Sequence, residues 1–185
     1  MFLVDSHCHL DGLDYQTLHK NVDDVLAKAA ARDVKFCLAV ATTLPGYRSM
    51  RELVGRRDNV VFSCGVHPLN QDEAYEVETL RTLAAEEGVV AMGETGLDYF
   101  YTPETKAQQQ TSFRDHIRIG RELNKPVIAF AGLVGEGIEE LYALGFTRII
   151  GINPPGCALQ DALNNAEMHL ENAAAAFIDD LAGHD

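Results

Sequence analysis

Short runs of consecutive apolar residues alternate along this chain with longer stretches whose apolar positions recur every three or four residues. The first run is Phe2-Leu3-Val4-Asp5, and four more follow at Val34–Ala41, Val60–Cys64, Val89–Met92 and Val127–Ala131. A sixth covers Thr147–Ile152. Between them, periods near 3.6 predict helices over Tyr15–Arg32, Tyr47–Arg57, Asp72–Glu87, Glu104–Leu123 and Ile138–Leu144, with a last one over Leu159–Leu181. In the first helix Leu18, Val22, Val25, Leu26 and Ala29 make the inner stripe. Runs with no polar alternation mark strands covered on both faces, which is the habit of parallel sheets. Six strand–helix units in series therefore predict an α/β fold: a parallel sheet with helices on both faces, in one domain spanning 1–185.

Length and charge narrow this. At 185 residues the chain is short of an eight-unit barrel, which takes about 250 residues. It carries 28 acidic and 15 basic side chains, a net charge of −13. Phosphate backbones are bound through surplus Lys and Arg, so the overall charge argues against nucleic acid unless a local basic or metal site overrides it. The four cysteines (Cys8, Cys37, Cys64 and Cys157) form no C-x-x-C pair and read as small buried hydrophobes in a reducing compartment. The start of the chain has no basic segment before a long apolar run, and no stretch approaches 18 apolar residues. A cytoplasmic protein without membrane contact is expected.

Functional groups of parallel α/β folds collect where strands end. The first run is followed by His7-Cys8-His9, two imidazoles at i and i+2, which a strand end points the same way. The fourth is followed by Gly93-Glu94-Thr95-Gly96, a carboxylate between glycines. Two imidazoles and one carboxylate with open positions suit a divalent ion such as Zn, Mn or Mg and a hydrolytic site, so His7, His9 and Glu94 are the candidate ligands. The same residues also have plainer uses: a lone strand-end Glu serves equally as a helix N-terminal charge. His67, before Pro68, reads as a loop residue. His19, His116 and His169 fall in predicted helices and are expected to be solvated, with His184 in the tail. Gly132, Gly135 and Gly137 precede the short fifth helix, but Glu136, Glu139 and Glu140 would repel phosphate there.

Three phrases carry a family likeness: Phe2-Leu3-Val4-Asp5-Ser6-His7-Cys8-His9-Leu10-Asp11, Gly65-Val66-His67-Pro68 and Gly93-Glu94-Thr95-Gly96-Leu97-Asp98-Tyr99. Together they closely resemble the TatD-like metal-dependent deoxyribonucleases, over residues 1 to about 128. The resemblance implies a TIM-type barrel with a divalent metal centre, His7 and His9 on one metal, and Glu94 bridging. It also implies histidines at the fifth and sixth strands and an aspartate at an eighth. Val127-Ile128-Ala129-Phe130-Ala131 and Ile149-Ile150-Gly151-Ile152-Asn153 contain no histidine, and no eighth strand is present. Residues 125–182 are instead similar to the C-terminal end of bacterial glycerate kinases, at Lys125-Pro126-Val127-Ile128 and Ala158-Leu159-Gln160-Asp161-Ala162-Leu163. No kinase substrate or nucleotide motif lies in that segment.

The expectation is thus a chimera with a seam near Asn124-Lys125-Pro126: a half-barrel segment, 1–124, followed by two further units, 125–185. Six strands would flatten into an open, doubly wound sheet with the first strand central, and exposed edges would pair two chains into a homodimer. With part of the ligand set missing, weak or absent metal binding and no robust catalysis are expected, and no catalytic residue is named. The alternative is a metal-dependent hydrolase or deoxyribonuclease acting on phosphodiesters.

Overall fold

A computed structural model describes residues 2–71 and 75–129. Five parallel strands, β1 (Leu3–Cys8), β2 (Val34–Val40), β3 (Val60–Cys64), β4 (Val89–Thr95) and β5 (Val127–Ala129), alternate with four helices. The helices are α1 (Val22–Ala30), α2 (Leu44–Val54), α3 (Val77–Ala84) and α4 (Lys106–Glu122). The expected sixth strand, its flanking helices and the Gly132–Gly137 turn lie outside the described residues, as does most of the glycerate-kinase-like segment.

Strand order corrects the expected topology. Among the described residues the sheet runs β1-β2-β3-β4-β5 with no reversal, so β1 is an edge of the described sheet rather than its centre, and the described strands are wound once rather than doubly. Right-handed crossovers between successive neighbours all fall on the same side. Residues of α1, α2, α3 and α4 accordingly share one apolar cluster with β2, β3 and β4, so the described helices cover one face and not two. This is half of a TIM-type barrel, and among the described residues its inner face carries no helix.

Local chemistry shifts the helix boundaries. The predicted helix over 15–32 is confined to Val22–Ala30. The Asp14 carboxylate accepts the amide hydrogens of Gln16 (2.9 Å) and Thr17 (2.8 Å) and folds that stretch into a turn instead. The helix then starts where the Asn21 side chain caps Asp24 at 2.9 Å. α2 begins three residues earlier than its apolar period suggests, because Thr43 Oγ1 caps Gly46 at 3.0 Å and Pro45 tolerates the first turn. The core behind the sheet is built on Tyr47, Met50, Phe62, Leu80 and Met92, all essentially fully buried. The Tyr47 hydroxyl donates to Glu86 at 2.6 Å, which satisfies the polar end of that ring.

Candidate metal centre

At the carboxyl ends of the strands the sheet curls. β1 and β4 are three places apart, which in a flat sheet is roughly 14 Å at about 4.8 Å per strand. Yet His7 Nε2 lies 3.3 Å from Glu94 Oε2. Two glycines account for much of the closure. A Cβ on Gly65, just past β3, would sit 2.5 Å from the Cα of Gly93, and a Cβ on Gly93 would sit 2.5 Å from the carbonyl oxygen of Ile128. Gly93 also has φ +138°, a conformation that side chains disfavour. With both positions bare, Ser63 Oγ donates to the Gly93 carbonyl at 2.7 Å. The Glu94 amide passes over the end of β3 and donates to the Ala41 carbonyl at 2.8 Å.

His7, His9 and Glu94 each offer a donor atom, and these atoms lie within 4.8 Å of one another. The two rings meet edge to face at 5.2 Å between centroids. His9 Nδ1 lies 2.9 Å from the Val40 carbonyl, an acceptor only, so Nδ1 carries the proton and Nε2 keeps its lone pair. That arrangement of an imidazole held by a backbone carbonyl is the usual support of a metal-binding histidine. Two imidazole nitrogens and a carboxylate oxygen, gathered from β1 and β4, form a set that fits a divalent cation.

Three further groups that sequence reasoning passed over belong to this site. His67, read above as a loop residue, is 8% exposed, and its Nε2 lies 4.0 Å from Glu94 Oε1. Its Nδ1 accepts the Leu69 amide at 3.1 Å, so the ring proton sits on Nε2, facing the carboxylate. Burial pushes its pKa below the ordinary value, against the opposing pull of Glu94 and Asp98. His116 was expected in solvent; it is fully buried. Its Nδ1 donates to the Ser112 carbonyl at 2.7 Å, and its Nε2 accepts the Val66 amide at 3.0 Å, so it props the loop that carries His67 from behind. Burial lowers its pKa to about 4. In the sequence His116 shares a helical stripe with Phe113 and Ile117, a pattern that reads as ordinary core. Asp98, 4% exposed, accepts the amides of Phe100 (3.0 Å) and Tyr101 (2.9 Å) and shapes the loop after β4. His19 instead has its Nδ1 4.0 Å from Asp24 Oδ2.

A profile of the TatD related DNase family matches residues 4–130. The chain belongs to the TatD-related DNase family. The Escherichia coli (strain K12) "uncharacterized metal-dependent hydrolase YcfH" is 84% identical over 128 residues, covering 69% of this chain and 48% of the relative. The "3'-5' ssDNA/RNA exonuclease TatD" of Shigella flexneri serotype 5b is 36% identical over 110 residues, covering 58% of this chain and 42% of that one. This TatD-family chain therefore spans about half the length of the curated relatives it matches. Among solved structures, the TatD homologue YJJV of Escherichia coli K12 superposes with a TM-score of 0.62 at 21% identity, over 77% of this chain and 65% of that one, a likeness of fold. Nothing in these comparisons shows a glycerate-kinase segment or a fusion. Relatives named as metal-dependent hydrolases imply a divalent metal, and the donor set described above is where this chain could accept it. Among the described residues, no helix is long and apolar enough to cross a membrane.

Proposed function

We propose that this chain is a metal-dependent hydrolase of phosphodiesters, in which His7, His9 and Glu94 hold a divalent ion. The observation that carries the reading is the convergence of three donor atoms within 4.8 Å from strands three places apart. When bound, such an ion polarises a phosphoryl oxygen and lowers the pKa of a water. The chain's own residues do the rest. The Val40 carbonyl fixes the His9 ring so that Nε2 points its lone pair inward. Glu94, anchored through its amide to Ala41, holds its carboxylate opposite His7. His67 presents an Nε2–H beside Glu94, a neutral donor suited to a phosphate oxygen. The net charge of −13 argued against nucleic acid; a divalent ion held by His7, His9 and Glu94 would supply positive charge locally against it. An inactive chimera is the weaker reading, because it rests on residues 125–185 alone. Self-association along β1 stands as part of the proposal, since Leu3 and Val4 are each 53% exposed at that edge.

The test is cleavage of a single-stranded oligonucleotide with Mn²⁺, Zn²⁺ or Mg²⁺ added to the chelator-stripped chain. Turnover is expected with metal and not with EDTA. His7→Ala and Glu94→Gln are each expected to lower it at least about 100-fold, more than loss of an outer support would. No metal-dependent turnover above a protein-free blank, or full turnover in both variants, would overturn the proposal.

A further inference from the structure

The loop after β3 that carries His67 is held at both ends by one face of α4. Ser112 and His116 lie four residues apart on that helix, so their side chains share a face, and both are buried. His116 Nδ1 donates to the Ser112 carbonyl at 2.7 Å, and its Nε2 accepts the Val66 amide at 3.0 Å. At the other end, Gln71 Nε2 donates to Ser112 Oγ and to the His67 carbonyl, each at 3.3 Å. Between these holds the His67 amide donates to the Thr42 carbonyl at 2.8 Å, and the Asn70 amide to the His67 carbonyl at 2.9 Å. The backbone path so fixed brings the Leu69 amide onto His67 Nδ1 at 3.1 Å. A nitrogen that accepts an amide hydrogen carries none of its own, so the proton of the neutral ring goes to Nε2, 4.0 Å from Glu94 Oε1. Core filling alone does not call for an imidazole at position 116: an apolar side chain there would fill the same space and leave the buried Val66 amide without its acceptor. A neutral imidazole, donating on one side and accepting on the other, is a rigid spacer between helix and loop. Burial, which lowers the His116 pKa to about 4, keeps the ring in that neutral form at ordinary pH.

We propose that His116 is a positioning residue of the candidate site: through the Val66 amide it fixes where the His67 proton sits, and so holds an N–H donor beside Glu94 for a phosphate oxygen. The effect on turnover rests on the phosphodiesterase reading; the control of the His67 proton does not. His116 itself touches neither the donor set nor a substrate, and it acts only through the loop.

The test is NMR of the His67 ring nitrogens in the chelator-stripped chain at neutral pH, where no ion enters the readout. In the parent chain Nε2 is expected to be protonated and Nδ1 to be a bare acceptor. His116→Leu is expected to move both nitrogens toward the average of two exchanging tautomers. It should also lower the hydrogen-exchange protection of the Leu69 amide about tenfold, while the Met92 amide, bonded to the Pro126 carbonyl at 2.9 Å, keeps its protection. His116→Gln, whose amide accepts on one atom and donates on the other, is expected to restore both readings. Ser112→Ala removes only the hydroxyl that holds Gln71, and it should shift the same signals the same way even if the leucine variant disturbs the core. With Mn²⁺ added, kcat on a phosphodiester is expected to fall about tenfold in His116→Leu at unchanged KM, and to return in His116→Gln. A parent chain without turnover would sink the hydrolase reading, and the ring signals would still decide the role of His116. His67 nitrogens and Leu69 protection that stay unmoved in both His116→Leu and Ser112→Ala would overturn the inference. So would a glutamine variant that behaves like the leucine one.

Discussion

The first and fourth strands supply the same candidate site and are supported very differently. β4 is buried at every position but Val90, pressed between β3 and β5 and backed by α4. β1 is exposed along its first five residues and has a single neighbour among the described strands. Glu94 thus stands on a wall whose position is over-determined by Gly93, Ala41 and Ser63, while His7 and His9 stand on an edge held by β2. His9 compensates with its own tether to Val40. The difference teaches that one of the three donors is fixed by the core and the other two by an edge with a single ladder. An ion bridging the two would therefore also tie the weak edge to the strong wall.

Three measurements can break or sharpen this contrast. The largest effect is expected from Met92→Ala on β4, whose side chain is fully buried. It should cost about 4 kcal/mol in denaturant unfolding, and a loss under about 1 kcal/mol would mean that β4 is no wall. The next concerns His116, the prop behind the His67 loop. Its pKa in the folded chain is about 4, against an ordinary value of 6.5. The unfolded chain therefore binds more protons between those values. Stability is complete above about pH 6.5 and falls as pH is lowered toward 4, by about 3 kcal/mol from this group. Denaturant curves from pH 7 to 4 should show that slope, and His116→Gln should remove its share. The smallest effect is expected on β1. Val4→Lys should change folding stability by no more than about 0.5 kcal/mol, because the side chain is already half in water. If β1 edges pair two chains, the same substitution should convert dimer to monomer in sedimentation. A large loss of stability in the monomer would show β1 to be as well supported as β4.

The units themselves were legible because each strand is a run of apolar residues and each helix a period near 3.6. Their winding was not, since Val34–Val40 has the same covered character in an open sheet as in a half barrel. The boundaries moved where Asp14, Asn21 and Thr43 compete for backbone amides, a signal carried by single residues rather than by period. In the candidate site, the grouping of His7, His9 and Glu94 was legible from strand ends. His67 and His116 were not, for opposite reasons: one follows a strand by a glycine and hides in a loop, the other hides in a helical stripe that resembles ordinary core. Their partners, the amides of Leu69 and Val66, are backbone groups that leave no mark in a sequence.

The unreversed strand order bears on how such a chain comes to be folded at all. Each described strand after the first pairs with the one made just before it, so no contact among the described strands waits for a distant segment. Local pairing of this kind shortens the loops that must close during folding. A chain leaving the ribosome can lay β2 on β1, β3 on β2 and β4 on β3 in turn, and the three donor groups are together once the fourth unit has docked.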